Sequence, residues 1–304
     1  MTKTAAWISA ARLRTLPLSL SGILVGSAIA FTNSQFSSEI FWLAIATTLG
    51  LQILSNFAND YGDGVKGTDN DQRIGPKRAI QSGALTDKEV KKGMIYTSVV
   101  TAFFALSLIY ISFGKDDFFL SLLFIALGAA SLAAAIKYTV GDSAYGYRGL
   151  GDVFVFVFFG LVSVLGVNFL MTKEIDLWLL LPASSIGFLS SAVLNLNNMR
   201  DEISDRNSNK NTIVVIFGKS FAKIYHISLI SVALITFSLY QFLRLDEQTN
   251  WIYFSLIAFI PLLIHLKKIA LYTDPKVLDS ELKKVALSTF ALSLLFFLIL
   301  YFNS

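Results

Sequence analysis

The chain has 304 residues, 54% of them hydrophobic and only 15% charged, with a mean hydropathy of +0.62. Soluble domains carry about a quarter of their residues as charged side chains, so a water-soluble globular protein is excluded. The net charge of +4 is scattered over separate loops and makes no nucleic-acid face, and the lack of cysteine removes disulfides, thiolate catalysis and thiolate metal sites.

Apolar blocks long enough to cross a bilayer fall at 15–31, 40–59, 92–113, 118–138, 153–171, 177–199, 222–243, 251–270 and 284–302. Alternating strands of the β-barrel kind are absent, so helices must satisfy the backbone in lipid. The expected fold is all-α: a polytopic membrane protein with nine transmembrane helices around a central cavity, built as a four-helix pseudo-repeat plus one. Lys3, Arg12 and Arg14 precede the first block, and Ala28-Ile29-Ala30 resembles a signal-peptidase site. The block is nevertheless long enough to span, and Pro17 suits a first helical turn, so it is expected to remain as span one. Segments 114–117, 172–176 and 244–250 read as turns between neighbouring spans. When sides alternate from the N-terminus, all but Lys115, Lys173 and Arg244 of the 25 Lys and Arg fall on one side. The positive-inside rule makes that side cytoplasmic, which puts the N-terminus inside, the C-terminus outside, and the protein in the inner membrane. Residues 1–304 form one domain, with cytoplasmic loops 60–91, 139–152 and 200–221 capping the functional end. His226 and His265, alone in their spans, read as packing residues.

Two segments carry chemistry. The first, Asn56-Phe57-Ala58-Asn59-Asp60-Tyr61-Gly62-Asp63, closes span two, and helical spacing sets Asn56, Asp60 and Asp63 on one face. Asp69 and Asp71 follow in the loop. The second, Asn197-Asn198-Met199-Arg200-Asp201-Glu202-Ile203-Ser204-Asp205, closes span six with Asn197, Asp201 and Asp205 on one face. Equal sequence distances separate Asn56 from Asn197 and Asp60 from Asp201, the mark of an internal repeat. Facing carboxylate clusters call for a cation between them, and oxygen-only ligands suit Mg2+ or Ca2+. Lys66, Arg73, Lys77 and Arg78 after the first segment, and Arg200, Arg206 and Lys210 around the second, supply an anion site. Metal-holding carboxylates beside oxyanion-holding cations describe a diphosphate site, and the apolar surroundings imply a substrate with a long apolar tail. Neither a Walker loop nor an HExxH motif is present.

These segments resemble those of the UbiA superfamily of intramembrane prenyltransferases, which have nine spans and two Asp-rich motifs after helices two and six. Leu51-Gln52-Ile53-Leu54-Ser55-Asn56, Val65-Lys66-Gly67, Arg73-Ile74-Gly75-Pro76, Tyr138-Thr139-Val140-Gly141, Tyr145-Gly146-Tyr147, Gly149-Leu150-Gly151-Asp152 and Lys210-Asn211-Thr212 are similar to one branch. That branch moves a polyprenyl group from polyprenyl diphosphate to 1,4-dihydroxy-2-naphthoate in menaquinone biosynthesis. The superfamily's broadest first motif has a third acid four positions beyond the second, where Gly67 stands here; Asp69 is the nearby substitute. The resemblance implies Mg2+ held by Asn56, Asp60, Asp63, Asp201 and Asp205, and diphosphate contacts from Lys66, Arg73, Arg78 and Arg200. It implies catalytic roles for Asp60, Asp63, Asp201, Asp205 and Tyr138, and aromatic-substrate contacts from Arg14, Tyr145, Tyr147 and Asp152. The rival readings are a relative acting on another aromatic acceptor and, in a different class, a membrane transporter.

Overall fold

The computed structural model describes residues 2–70, 73–245 and 247–303, the side chains of 247–250 excepted. Asp71 of the first acidic loop lies outside the described residues, as does Asp246 in the expected 244–250 turn. The described residues form helices and connecting loops without strands, and nine helical segments among them are long and apolar enough to cross a membrane.

A short α1 (Lys3–Ala11) leads through a turn at Leu13–Thr15 into α2 (Leu16–Thr32), followed by α3 (Ser38–Val65), α4 (Asp87–Phe113) and α5 (Phe118–Lys137). The fifth span is composite: α6 (Gly151–Val155), a π-helical stretch Phe156–Val162, then α7 (Ser163–Thr172). After α8 (Leu180–Arg200) come the short α9 (Glu202–Asn207) and the long α10 (Ile213–Arg244), kinked at Gly218. The eighth span begins as a 3-10 helix, Glu247–Phe259, and becomes α11 (Ile260–Leu271) where Pro261 fits the first α turn. The last span is α12 (Val277–Asn303).

At the end of the bundle away from the acidic segments, helix limits match the apolar blocks closely, except in the eighth span, whose 3-10 helix begins at Glu247, inside the expected 244–250 turn. At the acidic end α3, α4, α10 and α12 run well past them. Local chemistry explains the extensions. Thr86 and Glu89 form a reciprocal capping box that starts α4, and the Thr212 hydroxyl accepts from Val215 N at 3.3 Å to start α10. The second acidic segment departs from a single helix, because α8 ends at Arg200 and the chain bends at Asp201 before α9 carries Asp205.

The most buried spans are α2 and α8, which pack with α10, the eighth span and α12 into the main core. In lipid, small residues and side-chain hydrogen bonds hold helices together. A Cβ on Gly160 of the π stretch would stand 2.5 Å from the Ala183 carbonyl oxygen, so that glycine lets the fifth span lie against α8. Asn168 Nδ2 donates to Gly26 O at 3.0 Å, and Ser185 Oγ to Ala233 O at 2.8 Å. His226 and His265 do pack, and they bond as well. Their Nε2 atoms lie 2.8 Å apart, and His265 Nδ1 is 2.7 Å from Glu281 Oε2, which ties α10, α11 and α12. By contrast, α4 and α5 turn large apolar side chains such as Phe103, Tyr110 and Phe119 outward.

Candidate active site

A cavity of about 690 Å3 opens at the acidic end of the bundle. Asn56, Asp60, Asp63, Arg73, Arg78 and Asn197 line its mouth, and apolar side chains carry it inward to Leu108, Ile109 and Leu170, near the opposite ends of α4 and α7. It is therefore polar at one end and largely apolar where it runs between the spans.

The mouth is assembled from four places in the chain. Asn56 Nδ2 donates to Ala11 O at 2.9 Å while its Oδ1 accepts from Gln52 at 3.3 Å. Asn56 thus anchors the turn that carries Arg12, whose φ of 50° is left-handed and whose guanidinium bonds Asp60. Arg78 also donates to Asp60, at 2.7 Å, and approaches Asp63 at 3.7 Å and Asp69 at 3.3 Å. Arg73 bridges the two acidic segments, 3.2 Å from Asp69 and 3.6 Å from Asp201. Lys210 bridges them again, 3.5 Å from Asp63 and 3.7 Å from Asp205. The end of α5 is pinned to α3, where Gly62 leaves room for Thr139 and the Thr139 hydroxyl donates to Ala58 O at 2.8 Å.

The cations between the carboxylates are thus side chains of the protein itself, and among the described residues no group of three or more acids or histidines stands together as a ready metal cage. The hydrogen bonding of these carboxylates is incomplete. Both Asp69 oxygens and one Asp205 oxygen are buried without a hydrogen bond. Burial, with Asp63 adding, pushes Asp69 up to about 7. Burial likewise raises Asp205 to about 6 against the pull of Lys210. Asp201 goes the other way: burial would raise it, but the Arg200 guanidinium holds it below the usual carboxylate range. Burial alone would lower Lys210, yet Asp63 and Asp205 keep it above the ordinary lysine value, so it stays charged. Unsatisfied, oxygen-only carboxylates are a donor set that fits Mg2+.

The sequence-expected residues sort into three groups. Asp60, Asp63, Arg73, Arg78, Arg14, Tyr138 and Tyr145 line the cavity, as does Asn56 with its amide committed to Ala11 and Gln52. Asp201 and Asp205 do not line it, but they reach it through Arg73 and Lys210, which do. The remainder act elsewhere. Lys66 caps the end of α5, donating to Thr139 O at 2.8 Å and Gly141 O at 2.9 Å. Arg200, fully buried, donates to both Asp201 oxygens, Asn197 and Asp279. Tyr147 donates to Asp63 at 2.8 Å behind the wall, and Asp152 accepts from Tyr225 at 3.2 Å between the fifth span and α10. Tyr138 and Tyr145 meet edge to face at 5.3 Å, and Tyr145 stacks on Phe154 at 3.8 Å. Burial lifts both phenols above their usual range, so they present neutral rings to the cavity. Sequence reading did not single out Arg12 or Asp279. Lys77, which also lines the mouth, makes no ion pair among the described residues.

The model of the UbiA prenyltransferase family matches residues 19–280. The chain belongs to that family and is an integral membrane protein. It is 40% identical over 299 residues to the 1,4-dihydroxy-2-naphthoate octaprenyltransferase of Escherichia coli K12, an alignment covering 98% of this chain and 96% of that one. It is also 40% identical over 291 residues to the protein of the same name from Haemophilus influenzae, covering 95% and 92%. A solved UbiA homolog from Archaeoglobus fulgidus, bound to DMAPP and Mg2+, superposes with a TM-score of 0.66 at 15% identity, covering 97% of this chain and 99% of that one. At that identity the likeness is one of fold.

Proposed function

We propose that this protein transfers a polyprenyl chain from polyprenyl diphosphate to 1,4-dihydroxy-2-naphthoate. The ring loses its carboxylate as CO2, and the product is the prenylated naphthoquinol, demethylmenaquinol, the two-electron-reduced form of demethylmenaquinone, in menaquinone biosynthesis. The observation that carries this reading is the cavity, with carboxylates and cations at its mouth and a largely apolar passage running inward between the spans to Leu108, Ile109 and Leu170. The near full-length similarity to two naphthoate octaprenyltransferases supports the choice of acceptor.

Asp60, Asp63, Asp201 and Asp205, with Asp69 beside them, are the residues to hold Mg2+, whose chemistry there is to neutralise the leaving diphosphate. Arg73, Arg78, Lys210 and Lys77, the last without an ion pair among the described residues, offer N–H donors to diphosphate oxygens. The allylic C–O bond breaks with its electron pair leaving on the diphosphate. The resulting allylic cation needs electron-rich, water-free walls. The neutral rings of Tyr138 and Tyr145 lie on the cavity for that purpose. Bond formation to the ring and departure of CO2 then restore aromaticity. Lys66 and Arg200, already committed to protein acceptors, serve the site by fixing the end of α5 and Asp201. Arg14, lining the cavity with few contacts, is the residue suited to the acceptor's carboxylate. The Lys and Arg distribution supports a cytoplasmic mouth in the inner membrane, N-terminus inside and C-terminus outside.

The test is turnover of purified protein with polyprenyl diphosphate, 1,4-dihydroxy-2-naphthoate and Mg2+, with and without chelator. Prenylated naphthoquinol should form only with the divalent ion, and Asp60→Asn or Asp201→Asn should each lower kcat/KM about 100-fold or more. Full turnover in either variant would remove that carboxylate from the site.

A further inference from the structure

Asp279 opens the last span and belongs to no acidic motif, yet it sits at the end of the site's network of charges. Its Oδ1 accepts from Arg200 Nη1 at 2.7 Å, and its Oδ2 lies 3.6 Å from Arg14 Nη1. Leu282, three residues on and on the same helical face, lines the cavity together with Arg14, Val193 and Asn197. Asp279 therefore marks where α12 meets the cavity rim.

The contrast between its two arginines is informative. Arg200 is fully buried, with its donors spent on Asn197, Asp201 and Asp279. Arg14 is half exposed on the cavity, and among the described residues Asp279 is its one ion-pair partner; it makes no hydrogen bond. A guanidinium carries five N–H donors in a planar fork that matches a carboxylate. Arg14 has those donors free, and the Asp279 charge holds the fork in place against the nearby guanidinium of Arg200.

We propose that Asp279 is a positioning residue for the aromatic acceptor: it orients Arg14 so that the guanidinium pairs with the acceptor's carboxylate at the rim of the cavity. The inference rests on the acceptor assigned above. Arg200 keeps its two bonds to Asp201 and one to Asn197 without Asp279, so the diphosphate half of the site stays in place when Asp279 is neutralised.

The experiment measures KM for each substrate with the full-length protein in detergent, using polyprenyl diphosphate, Mg2+ and either 1,4-dihydroxy-2-naphthoate or 1,4-dihydroxynaphthalene, which lacks the carboxylate. Asp279→Asn should raise KM for the naphthoate about tenfold, the size of one charge-assisted contact. KM for the diphosphate and for the carboxylate-free ring should stay within about twofold. Asp279→Glu should recover most of the loss. Arg14→Gln combined with Asp279→Asn should be no worse than Arg14→Gln alone. An unchanged naphthoate KM in Asp279→Asn, equal rises for both acceptors, or additive effects in the double variant would overturn the role. If Asp279→Asn does not fold, the Arg14→Gln and Asp279→Glu comparisons of the two acceptors decide it in the same way. Absence of naphthoate turnover by the wild type overturns the acceptor assignment as well, whereas turnover indifferent to Asp279 overturns this role alone.

Discussion

Asp69 and Asp205 set the pH behaviour of the site. Both are held by burial above the ordinary carboxylate range, near 7 and 6, while an unfolded aspartate titrates near 3.9. Between those values the folded protein binds more protons than the unfolded one. Their contribution to stability is then complete below about pH 4 and is lost as pH rises through 6 to 7. In chelator, the melting temperature in detergent should fall between about pH 5 and about pH 8, and Asp69→Asn should flatten that slope. A slope untouched by the substitution would place the proton on another group. In the proposed role of these carboxylates a divalent cation would compete for the same oxygens, so its stabilising effect should grow as pH rises.

The fifth span shows what a single element contributes. Its π-helical stretch places Phe158, Phe159 and Val162 on the cavity, while Gly160 lies against α8. Gly160→Ala would set a methyl 2.5 Å from the Ala183 oxygen and should cost about 1–3 kcal/mol. Gly166, in α7 with open space around its Cβ position, should accept Ala without loss, since alanine favours a helix by up to about 1 kcal/mol. Thermal unfolding of the two variants checks the contrast, and equal effects would mean the close approach to α8 carries no weight. Neither the π stretch nor the 3-10 start of the eighth span could be read from the sequence, because both keep the apolar composition of an ordinary span. The nine spans were legible, as were their outer ends apart from the start of the eighth. The extensions of α3, α4, α10 and α12 were not, since hydropathy follows lipid contact and helical hydrogen bonding continues into polar sequence. The same division holds at the site. Asp60, Asp63, Asp201, Asp205 and Arg73 stand within motifs, and Arg78 is a basic residue just after one, so they could be found there. Arg12, which reaches the site from the first turn, and Asp279, which reaches it from the last span, meet the motifs only through the tertiary fold. An acid in a first turn such as Asp279 reads on its own as a complement to the helix dipole. Lys66 has the right charge and a motif position, but its ammonium is committed to carbonyls at the end of α5.

At the scale of the whole molecule, ion pairs run from Arg12 through Asp60, Arg78, Asp69, Arg73, Asp201, Arg200 and Asp279 to Arg14. Opposite signs alternate at every step, and the chain of charges returns to within two residues of its start. It draws together the two acidic segments, the first turn and the last helix at one end of the bundle. The interior stretches of the spans, by contrast, carry no Asp, Glu, Lys or Arg. This placement has an electrical consequence. In the proposed reaction donor headgroup, diphosphate and metal would all be bound and released at one end, so a catalytic cycle would carry no charge through the membrane field. One elementary charge crossing fully would couple to voltage by about 2.3 kcal/mol per 100 mV. Turnover in proteoliposomes should therefore be the same with or without an imposed potassium diffusion potential of either sign. A rate that follows the voltage would belong to a transporter.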